Sequence, residues 1–146
     1  MNNRALETFA VWARRELMKG CRERLQYVLS HERDPEFAEH AGNISILKRE
    51  ANDSYIEKAA YTWFNRFVAF RFMDVRGFYS QRVLSPEFDD DPRPQLLTDA
   101  VEGATPKALS PRERDRVQKL LAGQLPSRDS QAESYRILFL SKCREL

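Results

Sequence analysis

Residues 55–79 read YIEKAAYTWFNRFVAFRFMDVRGFY, the densest aromatic run in the chain and its least ambiguous helix. At about 100° per residue the apolar side chains fall on two adjoining sides rather than one stripe. Trp63, Phe67 and Phe70 cover one side; Tyr61, Phe64, Val68, Phe72 and Val75 cover the next; Ala69 and Met73 fill much of the remainder. A helix that is apolar nearly all round has to be enclosed by other elements. Arg66, Arg71, Asp74 and Arg76 interrupt the run, so it does not read as a membrane span. The expectation is an all-α fold: an irregular bundle of four to six helices around a central buried helix over residues 54–76.

Charges constrain that packing. Arg71 projects between Phe64 and Phe67, within the apolar surface, and Asp74 is three residues on, near enough to meet it. A buried guanidinium without a partner costs several kcal/mol, on the order of a small domain's whole stability. Arg71 and Asp74 are therefore expected to form a structural ion pair, or each to find a partner on a neighbouring helix. Arg66 snorkels to water beside Phe70 and Met73.

The remaining chain reads as helices and loops in a single helical domain, 1–146. Residues 4–29 are amphipathic, with Leu6, Phe9, Ala10, Ala13, Leu17, Cys21, Leu25 and Val28 at helical spacing and Gly20 inside. Gly20 marks either a bend or a close approach of another backbone. Arg15, Lys19 and Arg22 form a ridge on another face with Arg14 beside it. That ridge reads as a phosphate-contacting stripe or as a solvated face balanced by Glu7, Glu16 and Glu23.

Residues 30–43 form a loop, with a helical turn after Pro35. His31, His40, Glu32, Glu36 and Glu39 fit no ligand motif there. Residues 44–47 pack back on the core. Prolines 86, 92 and 94 exclude regular structure over 80–96, and Asp89, Asp90 and Asp91 read as a solvated acidic loop. Residues 96–101 form a short helix. Capping boxes are expected at Ser54–Glu57, Ser110–Glu113 and Ser130–Glu133, and stops at Gly77 and Gly123. The last helix is still strongly patterned at Leu146, so the chain is expected to be an N-terminal piece of a longer one, with an exposed apolar face around Ile137, Phe139 and Leu140.

Composition excludes more than it selects. A net charge of +2 does not announce a nucleic-acid binder. Cys21 and Cys143 lie far apart with no CxxC or Cys/His cluster, so no metal site is expected, and a reducing cytoplasm is the natural setting. No P-loop, GxSxG or HExxH is present.

Residues 60–79 also carry a family resemblance. Tyr61-Thr62-Trp63-Phe64-Asn65-Arg66, then Ala69-Phe70-Arg71-Phe72-Met73, then Gly77-Phe78 resemble a segment near the N-terminus of large adenine-specific DNA methyltransferases. Those are the PglX-type enzymes of BREX phage-defence systems and related restriction–modification methylases. Residues 5–29 resemble the first helix of that family, and the likeness reaches Arg82-Val83-Leu84-Ser85. It implies a parent enzyme that transfers a methyl group from S-adenosylmethionine to adenine N6, and partners in the rest of that chain, DNA and other defence subunits. The chain has no GxG turn and no Asn-Pro-Pro-Tyr motif to hold a flipped adenine, so no catalytic or cofactor residue carries over. The segment is then a scaffold, with Arg14, Arg15, Lys19 and Arg22 as its candidate DNA contacts. The alternative is a free-standing helical module that binds a protein partner.

Overall fold

The computed structural model describes residues 2–146, and all regular structure among them is helical. The order is α1 (Asn3–Ser30), a 3-10 turn (Pro35–Phe37), α2 (Ala41–Glu50), α3 (Asp53–Arg76), α4 (Gln95–Val101), α5 (Pro111–Leu121) and α6 (Ser130–Cys143). The chain divides into two compact units, one up to Arg66 and one from Phe67 on, and α3 spans the division.

In the first unit α1 starts on Asn2, whose side chain accepts from the Arg4 and Ala5 N–H groups. Ala13 is its one buried residue. A Cβ at Gly20 would meet nothing, so the close approach considered for that glycine does not occur. Burial pushes the Cys21 thiol up. The small core gathers Ala13, Phe37, Ile44, Ile56 and Ala60. Tyr27 stacks on His31 with ring centroids 4.3 Å apart, and the Arg24 guanidinium lies over the Tyr27 and Phe37 rings. Helix α3 begins earlier than the Ser54 cap expected from sequence, because Asn52 Oδ1 already takes the Tyr55 N–H at 2.9 Å. Asn is as good a cap as Ser, and the upstream one takes the role here.

The second unit has the larger core: Phe70, Val83, Leu96, Leu97, Ala100, Leu109, Val117, Leu120, Leu138 and Phe139 are all buried. Phe139 sits against Phe67 and Phe70, at 5.6 and 5.3 Å between centroids. The exposed face expected around it is therefore not there: Phe139 is packed in the unit's core, Ile137 is half-buried, and only Leu140 is exposed. The capping box at Ser110 forms as expected. At α6 the cap is Asp129, whose side chain accepts from the Ala132 N–H. Glu133 is instead buried, bound to Arg116 and Ser127. Gly77 and Gly123 close α3 and α5 with φ of 65° and 71°, a region that L side chains rarely adopt.

The ion pair expected between Arg71 and Asp74 is replaced by other partners. The Asp74 carboxylate accepts the backbone N–H groups of Val83, Leu84 and Ser85 at 2.8, 2.9 and 2.9 Å. Arg71 is exposed and donates to Ser85 Oγ. Three consecutive N–H groups satisfy a buried carboxylate without a cation. The loop is held further by the Tyr135 hydroxyl, which donates to the Val83 carbonyl at 2.9 Å.

Removing this acceptor should be costly. Asp74→Ala leaves three backbone donors without their acceptor and is expected to destabilise the protein by about 3 kcal/mol, read as a lower urea midpoint by circular dichroism. Asp74→Asn sets an amide NH₂ against at least one of those donors and should cost about 2 kcal/mol.

Burial, then the nearby charges of Asp74 and Cys143, push the Tyr135 hydroxyl up from 10.0 to about 12. The folded protein thus holds the phenolic proton more tightly than the unfolded chain. That stability is fully present below pH 10.0 and is lost as pH rises toward about 12. Tyr135→Phe should cost about 1 kcal/mol at neutral pH. Its stability should fall less steeply than that of the unmodified protein in alkali.

Candidate functional site

The basic ridge on α1 is divided by the first unit's own carboxylates. Arg14 Nη2 lies 2.6 Å from Glu57 Oε1, and Arg22 Nη2 lies 3.8 Å from Asp53 Oδ1. Arg15 and Lys19, one turn apart, are exposed and join no ion pair. The four candidate residues therefore share one helix but not one electrostatic state. All four are exposed, but Arg14 and Arg22 each have an α3 carboxylate beside them, a weak surface pairing that Arg15 and Lys19 do not share.

Beside Arg14, still in the first unit, a groove of about 670 Å³ runs between α1 and α3. Ala10, Ala60 and Phe64 give it apolar walls, and the Arg14–Glu57 pair, Lys58, Tyr61 and Thr62 give it polar ones. The small alanine side chains create the space. No histidine or cysteine lines it, and its one carboxylate is held by Arg14.

The polar residues considered as metal ligands have other work. Glu36 binds Arg24 at 3.0 Å and Glu32 pairs with Lys48. His31 Nδ1 lies 2.8 Å from the Tyr27 carbonyl. In the acidic loop Asp91 chelates the Arg93 guanidinium, whose hydrogen bonds hold its carboxyl below the usual range. Among the described residues no group of three or more His, Cys, Asp or Glu is placed to hold a metal ion. Among the described residues no helix is long and apolar enough to cross a membrane.

The feature that sequence reasoning misplaced is on α3. Of its two apolar sides, the one carrying Trp63, Phe67 and Phe70 is the more covered: Phe70 is fully buried and Trp63 half-buried, while Phe67 is still 37% exposed. The other is open: Tyr61 is 68% exposed, Val68 49%, Phe72 53% and Val75 66%. The helix expected to be enclosed is thus covered on one side only. In the second unit Phe78 extends this open surface, 5.8 Å from Phe72 between ring centroids. The α1 residues Leu6, Phe9, Val11 and Trp12 are likewise exposed. Within the second unit, Val68, Phe72, Val75 and Phe78 leave an apolar surface of the kind that marks protein–protein contacts.

No protein-family model, no curated protein and no solved structure matches the chain.

The division of the ridge makes a test of phosphate contact. Replacing Arg15 and Lys19 with Gln should weaken retention on duplex DNA and flatten its salt dependence by roughly two counterions. Replacing Arg14 and Arg22 should have a smaller effect, measured by titration of labelled duplex over a range of salt.

Proposed function

We propose that this chain is the non-catalytic N-terminal helical region of a large adenine-specific DNA methyltransferase of a restriction–modification or BREX-type phage-defence system. The observation that carries this reading is the motif over residues 60–79, with the similar helix at 5–29. In the parent enzyme S-adenosylmethionine and the flipped adenine belong to the rest of the chain, in the cytoplasm. This region acts as scaffold. The open apolar side of α3 supports that role, since such a surface gains about 25 cal/mol for each Å² of apolar area another domain covers. Within this reading Arg15 and Lys19, exposed and in no ion pair, are the favoured candidates for direct DNA contact.

A second reading, a free-standing helical module that binds a protein partner, is favoured by α6. Its apolar residues Leu138 and Phe139 are packed inside the second unit, as a self-sufficient module requires.

The size of the natural gene product separates the two. An antibody raised against this chain and used on extract of the source cells should detect a protein several times longer than 146 residues. That protein, purified, should transfer labelled methyl groups from S-adenosylmethionine to adenine in DNA. A band at the size of this chain, or a long protein without methyl transfer, overturns the first reading.

A further inference from the structure

The open side of α3 in the second unit has heptad geometry. Val68, Phe72 and Val75 are spaced by four and three residues, the d–a–d rhythm of a coiled-coil seam. On that register Arg71 takes position g and Arg76 takes position e. They flank the seam on its two sides, where a partner helix's charges are read. Both arginines are exposed and neither pairs with a carboxylate. Arg71 donates to Ser85 Oγ, and Arg76 lies over the Phe72 ring at 5.6 Å. Phe78 widens the apolar strip beside Phe72.

The charges decide which occupant fits. In a parallel pair of two copies, position g of one helix meets position e of the other, so Arg71 faces Arg76. In an antiparallel pair g faces g and e faces e, so Arg71 faces Arg71 and Arg76 faces Arg76. Each arrangement sets like charges together, which disfavours a second copy. A single nucleic-acid strand fits poorly too. The seam is built mostly on valines, which give successive bases no ring on which to stack.

We infer that the Val68–Phe72–Val75 seam of α3 docks an amphipathic helix of another protein, one that carries glutamate or aspartate on both flanks of its apolar stripe. The seam supplies the apolar contact, and Arg71 and Arg76 select the partner by charge. The inference does not rest on the methyltransferase reading and needs neither DNA nor S-adenosylmethionine.

Two synthetic helices test it, each about three heptads long, with leucine at a and d. One carries glutamate at every e and g, the other lysine. Binding to the intact chain is followed by calorimetry at low salt. The glutamate peptide is expected to bind at least about tenfold tighter than the lysine peptide. The Arg71→Glu/Arg76→Glu variant should reverse that order, and Val75→Asp should abolish binding of both. Both arginines and Val75 are exposed, so the variants should keep the helical circular dichroism of the parent. Equal binding of the two peptides, or an unreversed preference in the charge-swapped variant, overturns the proposal. So does a dimer of the chain that Val75→Asp dissolves, or binding of single-stranded DNA that Arg71→Glu/Arg76→Glu removes.

Discussion

Three backbone N–H groups, those of Val83, Leu84 and Ser85, converge on the Asp74 carboxylate, and the second unit is arranged around that contact. The segment after α3 cannot satisfy its own backbone, because its prolines remove donors and forbid regular structure. Asp74 takes the three donors at once. The carbonyl of Val83 then receives the Tyr135 hydroxyl from α6. Arg82 and Gln95 close the segment from the other end: Gln95 Oε1 accepts the Arg82 N–H, and the Arg82 carbonyl accepts the Leu96 N–H. An irregular stretch is thereby fixed between α3, α4 and α6, with Val83 fully buried beneath it. Desolvating a carboxylate costs several kcal/mol, so the arrangement holds only because every donor in it is used.

That contact also accounts for which side of α3 turns inward. Hydrophobicity alone does not choose, since both sides are strongly apolar. The buried side is the one that carries a carboxylate, and the open side carries Val68, Phe72 and Val75 with no charge among them. A rule that turns charge outward gives the opposite result. Asp74 is inside because it has donors to meet there, and Phe67 and Phe70 go with it on the same turns to pack on Phe139.

Local chemistry made much of the helical framework legible from sequence. The proline and serine at 111 and 110, the stops at Gly77 and Gly123, and the turn after Pro35 all act as their residue types require. The capping boxes at Ser54 and Ser130 did not, because Asn52 and Asp129 stand just upstream and cap equally well. Glu133 shows why spacing alone was insufficient. Its side chain has the sequence position of a cap residue, but Arg116, seventeen residues earlier, draws it into a buried pair. The ridge on α1 was legible as a pattern and not as a charge state, since Glu57 and Asp53 reach it from another helix. The pairing of Arg71 failed for a similar reason: its partner, Ser85, lies in a loop whose path no local signal sets.

The distribution of paired and unpaired arginines then bears on what the surface recognises. Arg144 is bidentate on Glu113 and holds that carboxyl below its usual range, Arg116 is bound to Glu133, and Arg93 is chelated by Asp91. Other basic side chains join no ion pair among the described residues, and their position bears on what the surface can recognise. Arg15 and Lys19 lie one turn apart on α1 and offer a point contact to phosphate. Arg71 and Arg76 flank exposed valine and phenylalanine instead. A phosphate backbone gains nothing from that apolar strip, whereas an amphipathic helix with acidic flanks satisfies the strip and both guanidinium groups in one contact.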